Sequence, residues 1–328
     1  MKKNSYPCSY GGVGIGLRLL SDDDKQHLHS AVLEILNTIG IKFECDEALD
    51  YLEKAGATID RKQCVAKMPE YMVNEAISTA PGHYILYGKK PEYDVTVGDG
   101  RVNFLPFGSG IMVQDLKTGE VRDSTKADIV DCARIIESLD AYDLCMETLV
   151  PRDVDPKVAS LHSFAAHNFH TNKNVTCGPA DKRSAEALVE MAAIIAGGLE
   201  QLAARPFFNF GGCSISPLTI PDSTCQAIMA GARYHVPCGC LSMALAGGTS
   251  PVTLTGTVAM ALAETLAAVV LSQSVKKGAE MLIGTSCCAL DLRHNAAAMV
   301  GTPELALISA AFSEMANYYQ IPCIAAGT

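Results

Sequence analysis

From about residue 100 the chain repeats one kind of unit. A short, almost wholly apolar segment ends in small or polar residues, and a helical pattern follows. The segments are "VNFLPFG" (102–108), "YDLCMETLV" (142–150), "NVTCGPA" (174–180), "PFFNFGGCSISP" (206–217), "PCGCLSMALAGG" (237–248), "EMLIGTSCCAL" (280–290) and "PCIAAGT" (322–328). Helical patterns lie between them near 125–138, 156–171, 182–203, 222–234, 252–276 and 303–319. Strands this continuously apolar must be covered on both faces, which a parallel sheet wrapped by helices provides. A doubly wound open sheet and a (β/α)8 barrel both satisfy that demand. The strand ends share one style, rich in Gly, Ser, Thr and Cys with a few polar groups. A barrel gathers all strand ends around one site, so the barrel is expected. Seven segments stand against the eight a closed barrel needs. The expected fold is therefore α/β, an incomplete TIM barrel of about seven units over residues 101–328.

Residues 1–100 read as an N-terminal α+β extension. "SDDDKQHLHSAVLEILNTIG" has Ser21 as an N-cap, acids in the first turn and Gly40 as a stop. "DEALDYLEKAG" repeats that grammar up to Gly56, "ATIDRKQCVAKMP" reads as a small hairpin, and "PEYMVNEAISTAP" as a short helix. Residues 83–122 alternate with period 2, with turns at Gly98–Gly100 and at 117–119, and predict antiparallel strands.

Composition excludes several classes. A hydrophobic content of 48% against 19% charged residues supports a large core. The net charge is −10 and no basic block occurs, so nucleic acid is not an expected partner. Thirteen scattered cysteines without a Cys-x-x-Cys suggest free thiols in a reduced, cytoplasmic compartment, such as that of an anaerobe. The opening "MKKNSYPCSYGG" has no apolar core of a signal peptide. Residues 251–274 imitate a membrane span but carry Glu264 near the centre. A carboxylate there costs about 2.5–3.5 kcal/mol in a bilayer, so a buried core helix is expected and no membrane.

Several long blocks are similar to one known family. They are "HSAVLEILNTIGI" (29–41), "FGSGIMVQDLKTGEVRDST" (107–125), "CQAIMAGARYHVPC" (225–238), "CLSMALAGGTSPVTLTGT" (240–257), and "GTPELALISAAFSEMANYY" followed by "IPCIAAGT". In order and over nearly the whole chain they resemble the trimethylamine:corrinoid methyltransferases. That resemblance implies a TIM barrel behind an N-terminal extension, in proteins longer than this chain by well over a hundred residues. It also implies that "AGT" is followed by pyrrolysine, encoded by an in-frame UAG. Thr328 would be its neighbour, and the chain as written would lack the principal catalytic residue and be inactive alone. The expected activity is that of a trimethylamine–corrinoid protein Co-methyltransferase in methanogenic or acetogenic one-carbon metabolism.

The chemistry explains why such a residue is needed. An amine leaves poorly, whereas a quaternary ammonium leaves as a neutral amine. As the family mechanism is proposed, the tertiary amine adds to the pyrrolysine imine, and Co(I) of a corrinoid takes a methyl group in line. No Asp-x-His-x-x-Gly motif occurs, so no cofactor is expected on this chain and the corrinoid comes on a partner protein. The site should hold a small methylated cation through aromatic faces and a carboxylate, and should supply a proton from a buried acid. Candidates at the strand ends are Glu147, Asp291 and Thr328 as catalytic or adjoining residues. Phe104, Phe107, Phe210, Ser242, Met243, Ser286 and Gly327 are the candidates for substrate binding. The plainer readings are core packing for each Phe, a turn cap for Asp291 and backbone satisfaction for the two serines. For Glu264 they are a carboxylate bonded to a neighbouring loop or an acid behind the fifth strand.

Two signals are set aside. His162, His167 and His170 share one helix without the i, i+4 zinc spacing or a thiolate cluster, so no metal is expected. "GGVGIG" (11–16) follows no clear strand and opens no βαβ unit. A methyltransferase for glycine betaine or another quaternary amine, without pyrrolysine, is the rival enzyme. A barrel fragment that only forms homo-oligomers or binds the corrinoid protein is the rival of another class.

Overall fold

The computed structural model describes residues 18–98 and 100–326. The extension opens with α1 (Asp22–Glu34), set by a Ser21–Asp24 capping box and continued as a π-helical turn to Gly40 at φ 82°. Then come β1 (Ile41–Phe43), α2 (Asp46–Ala55), β2 (Thr58–Asp60), β3 (Val65–Lys67) and α3 (Glu70–Thr79). β4 (His83–Leu86) pairs antiparallel with β5 (Val95–Gly98), and β6 (Met112–Gln114) with β7 (Val121–Asp123). These elements follow the period-2 and capping patterns of the sequence.

The α/β part continues with α4 (Lys126–Ser138), β8 (Cys145–Met146), α5 (Ala159–Asn168), β9 (Val175–Cys177), α6 (Lys182–Ala196) and α7 (Leu199–Ala204). Next are β10 (Phe208–Cys213), β11 (Thr219–Ile220), α8 (Asp222–Tyr234), β12 (Cys238–Ser242), β13 (Leu245–Ala246) and α9 (Leu254–Val275). The last are β14 (Met281–Thr285), β15 (Cys288–Asp291), β16 (Ala297–Ala298), α10 (Pro303–Tyr319) and β17 (Cys323–Ala325). Among the described residues, six of these strands form one parallel sheet in the order β8-β9-β10-β12-β14-β17. Each strand lies beside its predecessor, whereas a doubly wound sheet reverses direction at a switch point. The winding is that of a barrel, present as a curled half.

One expected strand is absent. Residues 102–108 form no regular strand but run extended beside the β8 edge. Phe104 O accepts from Asp143 N and Leu144 N, and Ser109 N and Gly110 N donate to Glu147 O and Thr148 O. Pro106 has no N–H for a ladder, and Gly108 and Gly110 weaken it further.

Alternate strand positions face opposite ways. Phe208, Phe210, Cys238, Met281 and Ile283 join the core shared with the helices, while Leu144, Leu282 and Ile324 meet Tyr84, Leu86 and Val97 of the β4–β5 hairpin. That hairpin plugs the inside of the curled sheet. Helix α9 is apolar all round, as a helix surrounded by protein should be. Its positions 257–273 are buried, and it packs against α1, α2, α3, α8 and α10. It is long and apolar enough to cross a membrane, yet 83% of its most apolar window is buried inside the protein. The extension adds Val32, Leu36, Leu49, Leu52 and Val73 to the same core, and β1 pairs with β11.

Candidate functional site

The parallel strands all end at one rim. It is built by Glu147, Gly178, Cys213–Ser214, Ser242–Met243, Ser286 and Ala326 in chain order. The small sheet β13-β15-β16 stands beyond β12 and β14. Gly327 and Thr328 lie outside the described residues, as does the glycine-rich 11–16.

A buried carboxylate holds the middle of the rim. Glu264 in α9 is 0% exposed. Its Oε2 accepts from Ser242 Oγ at 2.7 Å, Ser214 Oγ at 2.5 Å and Ser216 Oγ at 2.9 Å, and its Oε1 from Leu218 N at 2.9 Å. Four donors satisfy a carboxylate that no cation pairs with among the described residues, and the charge-assisted bonds are strong. The reading of Glu264 as a carboxylate bonded to a neighbouring loop holds, and the loop is 214–218. Ser242 is thereby occupied. Its hydroxyl also lies 3.6 Å from Cys287 Sγ, which accepts from Ala244 N at 3.2 Å.

Glu147 stands just past β8 under different conditions. Burial pushes its carboxyl up to about 7, while the Ser163 hydroxyl on α5 and the Gly178 amide pull it down. No cation pairs with it among the described residues. The Ser163 hydroxyl is buried and lies near that carboxyl without reaching strict hydrogen-bond geometry. One turn on, His167 Nδ1 lies 2.9 Å from Ser163 O. A carbonyl only accepts, so Nδ1 carries the proton and Nε2 faces Thr148 N at 3.5 Å. Burial lowers His167 to about 4, so the ring is neutral at ordinary pH.

The other expected site residues scatter. Phe210 is 0% exposed in the helix-facing core, edge-on to Phe208, and does not face the rim. Its position in the strand decides this, since Asn209 and Gly211 take the opposite face. Phe104 lies level with Leu144, at the entry end of β8, and is 61% exposed. Phe107, nearer the rim, is 77% exposed. Met243 is 44% exposed, and Ser286 N donates to Ser242 O at 2.8 Å. Asp291 caps a turn beyond the rim, bonding His294 Nδ1 at 2.7 Å and Arg293 N at 2.9 Å. His294 and Arg293 hold its carboxyl down to about 2, which suits a turn cap and not a proton donor.

Sequence reading missed Ser163, Ser214 and Ser216. The polar run "SISP" directly after an apolar strand was the available signal. His162, His167 and His170 take separate partners, namely Lys126 Nζ, Ser163 O and Ala166 O. A cavity of about 470 Å³ opens between Tyr51, Met72, Glu75, Gln273 and Lys277. It sits where α9 ends and the chain turns into β14, at the entry end of the strands, away from the rim where barrel sites lie.

Comparison with known proteins fits this arrangement. The family model for trimethylamine methyltransferase (MTTB) matches residues 14–328. A trimethylamine methyltransferase of Desulfitobacterium hafniense is 38% identical over 96% of the chain, and the chain spans 63% of its length. One from Methanosarcina barkeri is 33% identical over 100% of the chain and 67% of its own length. A glycine betaine methyltransferase of Desulfitobacterium hafniense is 27% identical over 94% of the chain and 64% of its own length. In fold, the crystal structure of the Methanosarcina barkeri monomethylamine methyltransferase superposes with a TM-score of 0.61 at 14% identity, covering 92% of this chain and 60% of that one. The chain belongs to the trimethylamine methyltransferase (MTTB) family.

Proposed function

We propose that the protein transfers a methyl group from trimethylamine to the Co(I) corrinoid of a partner protein. The observation that carries this reading is the family match running through nearly the whole chain, with relatives named for that substrate. The rim supplies compatible chemistry. Glu147 offers a half-buried carboxyl, with no cation beside it among the described residues, of the kind that accepts a cation or holds a proton. Phe107 offers an aromatic face worth about 0.5–2 kcal/mol to a methylated ammonium ion. The bound corrinoid would supply the methyl acceptor. Phe107, Ile215 and Met243, exposed by 77%, 56% and 44%, are the side chains available to its apolar edge. The chain's own residues would orient the amine, hold the proton and keep water away.

The placement of pyrrolysine next to Thr328 belongs to the same proposal, and the codon that follows Thr328 tests it. Trimethylamine is preferred over glycine betaine because the trimethylamine methyltransferase relative is 38% identical and the glycine betaine methyltransferase 27%. The direct test supplies the full-length protein and a Co(I) corrinoid protein with each substrate in turn. Cobalt methylation, followed by its visible spectrum, is expected with trimethylamine. Methylation from glycine betaine alone would replace the reading by its rival.

A further inference from the structure

Cys45 belongs to the extension and Cys225 to the α/β part, yet the fold brings them to one place. Cys45 is the N-cap of α2, two residues past β1, and Cys225 stands in the first turn of α8, just past β11. β1 and β11 pair in parallel, with Phe43 level with Ile220. The Ile220 carbonyl then serves both sides. Glu44 N donates to it at 3.0 Å, and Cys225 Sγ lies 3.8 Å from it. Gln226, the next residue of α8, donates from Nε2 to Cys45 Sγ at 3.3 Å and to Asp222 Oδ1 at 3.0 Å. Cys45 is thus bound to the neighbour of Cys225, and Cys225 shares a carbonyl with the neighbour of Cys45. Both are free thiols in the same buried core.

The two thiols differ in kind. Cys45 is 8% exposed and Cys225 0%. The Cys225 thiol, and the Ala48 amide in the first turn of α2, hold the Cys45 thiol below its ordinary value, against burial and the Asp222 carboxylate. Cys45 and burial push Cys225 well up. A helix N-terminus and a donating amide favour a thiolate at Cys45, and the thiolate is the form that reacts. No group of three or more His, Cys, Asp and Glu among the described residues is arranged to hold a metal, so the pair lacks the ligands of a metal site.

We propose that Cys45 and Cys225 are a peroxide-sensitive pair whose disulfide locks the extension onto α8. The Cys45 thiolate attacks one oxygen of hydrogen peroxide, the O–O bond breaks, and the leaving hydroxide takes up the thiol proton as water. Cys45 is then a sulfenic acid. The thiolate that raised Cys225 is gone. Cys225 gives its proton to the departing hydroxide as it attacks the Cys45 sulfur, the S–O bond breaks, and a second water leaves. Two thiols are oxidised to one disulfide while one peroxide is reduced to two waters. The new bond ties β1 and α2 covalently to β11 and α8, beside the 214–218 loop that Glu264 holds.

The test treats the full-length protein with hydrogen peroxide in the absence of added thiols, blocks the remaining thiols with an alkylating agent, and maps the peptides by mass. A cross-linked peptide joining Cys45 to Cys225 is expected, two hydrogen masses lighter than the reduced pair and lost on treatment with dithiothreitol. Cys225→Ala leaves the attacking thiol without its partner, so Cys45 should then persist as a sulfenic acid that dimedone traps. Cys45→Ser keeps a good N-cap, and Cys225 should be recovered from it as an unmodified thiol. The locked protein should unfold at a higher temperature than the reduced one, a gain that both variants should lack. Recovery of both cysteines as free thiols from the wild type, while the exposed Cys213 is oxidised, overturns the pair. So does linkage of either cysteine to a different partner. Sulfenic acid at Cys225 in the Cys45→Ser variant overturns the assignment of Cys45 as the attacking thiol.

Discussion

Ser242 Oγ donates to Glu264 Oε2 at 2.7 Å and so joins the last residue of β12 to the middle of the helix that follows it. Ser214, Ser216 and the Leu218 amide donate to the same carboxylate, which fixes the chain after β10 against the same helix. Glu264 is thus a tie rod across the rim, and the apolar helix around it gives the four donors no alternative partner. Glu264→Gln keeps the shape but turns an N–H2 group toward hydroxyls that were donating. It should lower stability by about 2–4 kcal/mol, against about 1 kcal/mol for Ser216→Ala. Chemical denaturation checks this, and equal midpoints for wild type and Glu264→Gln would refute the tie.

Glu147 and His167 should pull stability in opposite directions with pH. The Glu147 carboxyl is raised from 4.5 to about 7 in the folded state, so between those values the native chain holds more protons than the unfolded one. Its contribution is complete below 4.5 and is lost as pH rises through about 7, at about 3 kcal/mol in all. His167 is lowered from 6.5 to about 4, so its contribution is present above 6.5 and lost as pH falls through about 4. Over the shared window the slopes offset each other. Glu147→Gln should therefore leave a protein whose stability rises from pH ~4.5 to ~6.5, and His167→Asn one whose stability falls. Denaturation at several pH values reads both. Parallel profiles for the two variants would contradict the assignment.

The framework of alternating strands and helices was legible because parallel strands are apolar on both faces and mark themselves as continuous runs. The six helices expected near 125–319 are found, though 156–171 and 182–203 each divide into two elements. That same continuity hid the facing of Phe210, since "FFNFGG" gives no polar alternation to separate the helix side from the inside. The edge segment 102–108 looked like a strand by composition, but a ladder needs donors and Pro106 has none. The rim was half legible. Glu147 stood out as a carboxylate in an apolar run. The partners of Glu264 did not, because they lie 22 to 50 residues away and meet it only through the fold.

Lys173 illustrates a buried charge with a structural role. It is 4% exposed, and its Nζ donates to Ile136 O at 2.5 Å and Leu139 O at 2.8 Å, at the end of α4. Burial lowers its pKa, while the helix C-terminus and two carbonyls favour the charge. Lys173→Met keeps the volume and strands both carbonyls, and should cost about 1–3 kcal/mol. Thermal unfolding measures it. A gain in melting temperature would mean that desolvation of the ammonium outweighs the cap.

Two glycines on the inner face of the sheet should respond oppositely to the same methyl group. A Cβ at Gly284 would come within 2.5 Å of Leu241 Cδ1 and 3.1 Å of Ile324 O, so the backbone of β17 and the Leu241 rotamer resist it. A Cβ at Gly239 meets nothing closer than Leu282 Cβ and Phe210 O at 3.8 Å, which is ordinary contact. Neither glycine is among those with positive φ, so space alone separates them. Gly284→Ala should cost about 1–3 kcal/mol through overpacking. Gly239→Ala should be neutral or stabilising by up to about 1 kcal/mol, because alanine loses less backbone entropy on folding. Paired denaturation curves decide the matter. Equal losses at both positions would mean that the inner face above the β4–β5 hairpin is packed as tightly at β12 as at β14.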